Sequence, residues 1–186
     1  MPLRTTLLST ADQRREVVVN SAIAMFAKTG YLGTPISAVA EHAQISSGYV
    51  FKLFPSKQGL FIAALERCFS IIHSTLARGA ETSPDQTSDG VLTAMGGAYA
   101  RLISDRELLM LQVHAQSAAD EPEIAASLRA GLEKLTTLVK TRSNASDDAV
   151  QRFFAYGQLC HLVVTTRLDD DGSAWAKLLT RGIRHP

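Results

Sequence analysis

Apolar side chains recur every three to four residues along nearly the whole chain, and no stretch alternates apolar and polar residues long enough for a half-buried strand. This repeat leaves one fold class open, all-α, because a helical pattern forced into a strand would turn half its apolar residues away from the core. Turn signals divide the pattern into about nine helices. A first helix is predicted over 12–29, with Val19, Ala22, Ile23, Phe26 and Ala27 on one stripe and Gly30 ending it. Thr34 and Pro35 open a short second helix to residue 42, the hydroxyl capping free amides and the proline taking the first helical position. Ala43, Gln44 and Ile45 form a turn, Ser46 caps a third helix over 47–53, and Pro55 stops it. Ser56 starts a long fourth helix to about residue 78. After a loop at 79–90 rich in Ser, Thr, Asp and Gly, further helices are expected near 89–103, 105–118, 121–142, 146–168 and 172–184.

The 186 residues divide into a three-helix head, 1–57, and a larger helical body, 58–186. The net charge of +1 is unevenly spread: the head carries +3 and the body −2, the balance a polyanion-binding head needs. Cys68 and Cys160 lie far apart in apolar patterns and read as free thiols of a reducing compartment. The first twenty residues lack an apolar leader core, and no unbroken apolar run approaches the roughly 18 residues that cross a bilayer, so a cytoplasmic protein without a membrane segment is expected. His73, His114 and His161 lack metal-ligand spacing, so no metal is expected. The chain has no P-loop, GxSxG elbow, GxGxxG or HExxH sequence, so neither an enzyme nor a cofactor is expected.

In the head, a pair of short helices joined by a tight turn makes a helix-turn-helix, whose second helix enters the major groove of double-stranded DNA. Ser47 and Gly48 allow close backbone approach, Tyr49 can meet a base edge or thymine methyl, and Lys52 can reach a guanine or a phosphate. Lys57 and the first amides of the fourth helix can hold a phosphate. One short helix reads few bases, so paired half-sites and a homodimer are required. The eighth helix supplies a surface for pairing, being apolar on more sides than a small body absorbs, while Gly157 permits close helix approach. Leu178, Leu179 and Ile183 continue that surface. Other roles stay open: Thr34 as a plain cap, Tyr49 as a packing residue, Lys57 as a solvated cation, and the eighth helix as the centre of a monomer.

The series Phe26-Ala27-Lys28-Thr29-Gly30-Tyr31, Thr34-Pro35-Ile36, Ala40, Ile45-Ser46, Gly48 and Phe51-Lys52-Leu53-Phe54-Pro55-Ser56-Lys57 resembles the signature of TetR-type regulators over about residues 14–65. That resemblance implies a DNA-contact set of Thr34, Ser46, Ser47, Gly48, Tyr49, Phe51, Lys52 and Lys57, with Arg14 or Arg15 reaching the backbone of a palindromic operator. It implies a four-helix dimer bundle, for which Phe153, Tyr156, Gly157, Cys160, Val164 and Leu178 are the candidates. It also implies a small-molecule effector bound among the fourth to eighth helices, with Phe69, His73, Met95, Tyr99, Met110, Gln112, His114 and Trp175 as candidates, although a core role is the commoner one for each taken singly. The effector would act by favouring one spacing of the two heads, transmitted through the fourth helix, and repression is the default outcome. Activation, or a helical small-molecule-binding adaptor, is the alternative. Two positions depart from the family pattern. Gln44 stands where a glycine is usual, so it must adopt a left-handed conformation or use another turn, and Phe51 replaces a tyrosine whose hydroxyl would reach a phosphate.

Overall fold

The computed structural model describes residues 10–183; Arg4 and the rest of the head's first nine residues, and the end of the last expected helix, lie outside them. The described residues form nine α-helices and no strand: α1 (Thr10–Gly33), α2 (Ile36–His42), α3 (Ser47–Leu53), α4 (Lys57–Glu81), α5 (Ser88–Ile103), α6 (Arg106–Ser117), α7 (Pro122–Ser143), α8 (Asp147–Thr166) and α9 (Ala174–Thr180). A 3-10 turn, Leu168–Asp170, separates the last two. The all-α class and the order of helices therefore stand as the sequence predicts. Boundaries hold to within a few residues because most are set by local caps: Ser46, Ser56, Thr87, Ser146 and Ser173 each accept an amide hydrogen bond from the first turn of the helix that follows.

The start of α2 differs from expectation. Its N-cap is Pro35, which has no side-chain cap to offer, and Thr34 does not take that role. Gly30 interrupts α1 with φ 72° and ψ 179°, a conformation reserved almost wholly for glycine. The chain folds back there, bringing the Thr34 hydroxyl 2.8 Å from the Gly30 carbonyl oxygen and 2.6 Å from the Thr29 hydroxyl. Thr34 thus ties off α1. A Cβ at Gly30 would lie 2.9 Å from Nδ1 of His114 on α6, so this kink is also a point of close approach between head and body.

The turn between α2 and α3 takes the left-handed option. Gln44 has φ 56°, its N–H donates to the Glu41 carbonyl at 3.0 Å, and the Ile45 N–H donates to the Ala40 carbonyl at 3.0 Å. These two bonds close α2 as a Schellman motif, with half-buried Ile45 supplying its apolar contact. The left-handed state costs a non-glycine residue about 1–2 kcal/mol, partly offset by glycine's larger unfolded-state entropy. Gln44→Gly is accordingly expected to raise stability by about 0.5–1 kcal/mol. A denaturant titration showing a lower midpoint would mean that the Gln44 side chain holds the turn in some other way.

A continuous cluster of buried residues runs from Val18 in α1 to Val150 in α8, so head and body share a core. Its spine is α4, which buries Leu60, Phe61, Ala64, Leu65, Cys68, Phe69, Ile72 and Leu76. This 25-residue helix has the length and a mean hydropathy of 1.4 that a bilayer-crossing helix needs, which a search for unbroken apolar runs does not reveal. The apolar content serves the core on several sides, since α1, α5, α6 and α7 all pack on it. The end of α8, the 3-10 turn and α9 form a satellite around Val163, Leu168 and Ala176.

Candidate nucleic-acid interface and cavity

Seven residues make α3, and its orientation is set from both ends. Val50 and Phe54, at 0% and 3% exposure, fix one face in the head. At the start, the Ser46 hydroxyl accepts the Tyr49 N–H at 3.2 Å. At the end, Arg15 Nη1 donates to the Leu53 carbonyl at 2.8 Å, and its guanidinium lies 4.0 Å from the Phe54 ring centroid. Arg15 therefore offsets the negative end of α3 and braces it, a positioning role. Ser46, Gly48, Phe51 and Lys52 are exposed, Ser47 and Tyr49 half-buried, and nothing lies within 4 Å of a Cβ built on Gly48. The Arg14 guanidinium sits 5.8 Å from the Tyr49 ring centroid, so both groups share the edge of this face.

One expected contact is corrected. Thr34 is 1% exposed with its hydroxyl committed inside the head, which removes it from the contact set. Lys57 is half-buried: Nζ donates to the Leu32 carbonyl at 3.1 Å and lies 5.2 Å from the Tyr31 ring centroid, and partial desolvation pushes its pKa down. It joins the end of α1 to the start of α4, whose first turn is capped by the Ser56 hydroxyl accepting the Gly59 N–H at 2.9 Å.

The body contains an open trough of about 710 Å³ between α4, α6, α7 and α8, walled by Phe69, Gln112, Leu128, Leu132, Val150 and Phe154. A narrower recess of about 110 Å³ shares Gln112, Leu132, Phe154 and Gln158 with it and reaches between α5 and α8 to Tyr99 and His161. Of the eight residues singled out from sequence, Phe69, Tyr99 and Gln112 line this space. The other five lie elsewhere. Met95 is fully buried in the core, and half-buried Met110 lines neither trough nor recess. His73 borders separate cavities of about 490 and 470 Å³ between α4 and α7, His114 abuts Gly30, and Trp175 is 56% exposed on α9.

Sequence reasoning missed His161, which it weighed only as a metal ligand, and Leu132, Phe154 and Gln158. The spacing Phe154, Gln158, His161 on one helix stripe was the available signal. His161 is 5% exposed, with Nε2 2.6 Å from the Tyr99 hydroxyl. Burial lowers the imidazole pKa to about 4 and raises that of the Tyr99 phenol, so both are neutral at physiological pH. The Cys68 thiol, pushed up to about 12 by burial, points at the Leu108 carbonyl and is chemically quiet.

All six residues expected at a dimer interface lie at or near the surface of α8 and α9: Tyr156 and Leu178 are exposed, and Phe153, Gly157, Cys160 and Val164 are half-exposed. Phe153, Tyr156, Gly157 and Cys160 also border the recess, so one helix divides its apolar residues between the recess and the outside. Leu162, Trp175 and Leu179 enlarge the exposed apolar surface.

Comparison with known proteins agrees with this geometry. Residues 18–64 match the family model for bacterial regulatory proteins of the tetR family. The HTH-type transcriptional repressor KstR of Rhodococcus jostii (strain RHA1) is 37% identical over 62 residues, which is 33% of this chain and 29% of that protein. The chain thus spans about a third of the length of the curated relatives it matches. Over nearly the full length the fold is that of the fatty acid degradation regulator FadR from Bacillus halodurans, with TM-score 0.70, 16% identity, and coverage of 93% of this chain and 97% of that one. FadR from Bacillus subtilis in complex with stearoyl-CoA superposes with TM-score 0.69 at 15% identity, over 91% and 99% of the two chains.

Proposed function

We propose that this chain, whose residues 18–64 match the family model for bacterial regulatory proteins of the tetR family, is a TetR-type, ligand-responsive repressor that binds a palindromic operator as a homodimer. The observation that carries the proposal is the outward face of α3. Gly48, Phe51 and Lys52 stand free of the head while Val50, Phe54 and the Arg15 brace hold the helix rigid beneath them. A preset helix with one cation and one bare backbone segment suits entry into a major groove, where close approach and a charged reach are both needed. Arg14 and Tyr49 flank that face, and Lys57 with the first amides of α4 forms a second site for a phosphate at its edge. The functional division falls at residues 57 and 58, although the core runs across it.

Pairing through α8 and α9 would place two heads on successive half-sites, and the exposed Tyr156, Leu162, Trp175 and Leu178 support it. The trough supports an apolar effector, in keeping with a fold that in Bacillus subtilis FadR holds stearoyl-CoA. The effector would act on α4, which walls the trough with Phe69 and begins beside the DNA-binding face at Lys57. Fluorescence anisotropy with a labelled operator duplex tests the reading head. Lys52→Ala is expected to weaken binding and to lower the slope of log K against log salt by about one for each phosphate that the lysine neutralises. Unchanged affinity and slope would mean that α3 is not the reader.

A further inference from the structure

The recess at the end of the trough ends in a directional chain of hydrogen bonds. Gln112 Nε2 donates to the Leu108 carbonyl at 3.1 Å and meets the Tyr99 oxygen at 3.3 Å. The Tyr99 hydroxyl lies 3.4 Å from Gln112 Oε1 but only 2.6 Å from His161 Nε2, a separation below the range of an N–H donor and within that of an O–H donor, so the phenol donates to the imidazole. A neutral imidazole that accepts at Nε2 carries its proton on Nδ1. That Nδ1 is buried and has no hydrogen-bond partner among the described residues. An orphaned donor on a residue that borders an apolar recess is costly unless a group drawn in from the recess satisfies it.

The surroundings limit what that can be. None of the residues lining the recess is charged; they are mainly Ile72, Leu76, Leu135, Phe153 and Phe154 around the polar end. The trough outside has one charged pair in its lining, Lys140 and Asp147, and the two are bonded to each other at 2.6 Å, with Lys140 also donating to the Ala145 carbonyl at 2.7 Å. A carboxylate in the recess would meet no cation, and the phosphates of a coenzyme A group would meet only a lysine already engaged. The trough volume lies within the roughly 300–1,000 Å³ range of small-molecule sites.

We propose that the effector is an uncharged, largely apolar molecule carrying one acceptor oxygen, of the ester or ketone kind, which accepts a hydrogen bond from His161 Nδ1 while its hydrocarbon part lies along Leu132, Phe154 and Phe69. This rests on the ligand-responsive reading above and specifies its ligand class. A buried neutral acceptor costs little to desolvate and satisfies the orphaned donor, whereas an alkane leaves that donor unpaired and an anion adds a desolvation penalty.

The test is displacement of the neutral fluorophore N-phenylnaphthylamine from the full chain by four ligands sharing one hydrocarbon length: methyl decanoate, decane, decanoate and decanoyl-coenzyme A. Methyl decanoate is expected to bind at least tenfold tighter than each of the others. His161→Phe is expected to remove the ester's advantage over decane. Nitrogen-15 NMR of the wild-type imidazoles gives a second readout, with the His161 Nδ1 resonance shifting on addition of methyl decanoate and not of decane. Equal binding of ester and alkane, as a trapped water on Nδ1 would produce, overturns the proposal. So does tighter binding of decanoate or decanoyl-coenzyme A, or a failure of methyl decanoate to displace the fluorophore. Operator binding separates the two levels: DNA released by the anion or the thioester but not by the ester would sink this ligand class and keep the regulator, whereas absence of DNA binding would sink the regulator itself.

Discussion

Replacing Phe61 with alanine is expected to cost about 3–5 kcal/mol of folding stability, a large part of what a single domain has. Phe61 sits on α4 at 0% exposure, its ring meeting Phe26 edge-on at 4.9 Å and Tyr31 at 5.2 Å. Both partners come from α1, so the cluster joins the head to the helix that continues into the body. The truncation removes the ring's apolar area, leaves a cavity, and forfeits two aromatic pairings of about 0.5–1.5 kcal/mol each, which places the cost toward the upper end. In a thermal melt the loss should appear as a fall of about 10 °C. Phe61→Leu fills most of the space and should recover over half of the stability. A melting temperature for Phe61→Ala within a degree or two of wild type would show that α1 and α4 are held by something other than this cluster.

The second large effect is expected from Leu178→Glu. Leu178 is 70% exposed on α9, one turn from Trp175 at 56%, and α9 buries only Ala176 below 9% exposure. A charge at the centre of a surface that pairs with its own copy is placed against its symmetry mate and must be desolvated twice. Sedimentation at micromolar concentration should then find the 20.1 kDa protomer in place of a species twice that mass. Operator affinity should fall by about 10²-fold or more, because each head would bind its half-site without the effective concentration supplied by the other. The fold should survive, since the side chain makes little contact with its own body. A variant that remains dimeric with full affinity would move the pairing surface elsewhere.

Which parts of this molecule could be read from sequence follows the range of the interactions that fix them. Helix ends were legible because Ser46, Ser56, Thr87, Ser146 and Ser173 act within one turn of their own position. Gln44 was legible as a strained turn for the same reason, and the left-handed option follows from the bonds its neighbours make. Thr34 misled because its hydroxyl points back to Gly30, and only the kink in α1 makes that possible. His114 faces Gly30 across α1 and α6, a meeting of residues 84 positions apart that no local pattern encodes. The Arg15 brace on the Leu53 carbonyl is equally nonlocal. In α8 the periodicity identified an apolar helix but could not divide its residues between the recess and the exterior, which is why His161 and Phe154 were passed over while Phe153 and Tyr156 were assigned outward alone.

The central claim is that two copies of this chain read DNA through paired α3 helices. Selection of bound duplexes from a random pool by the wild-type chain tests it most directly. The expected result is enrichment of an inverted repeat whose half-sites are centred about one turn of DNA, or a simple multiple of it, apart. Failure to enrich any sequence, or enrichment of a single unrepeated site bound by one protomer, would contradict it.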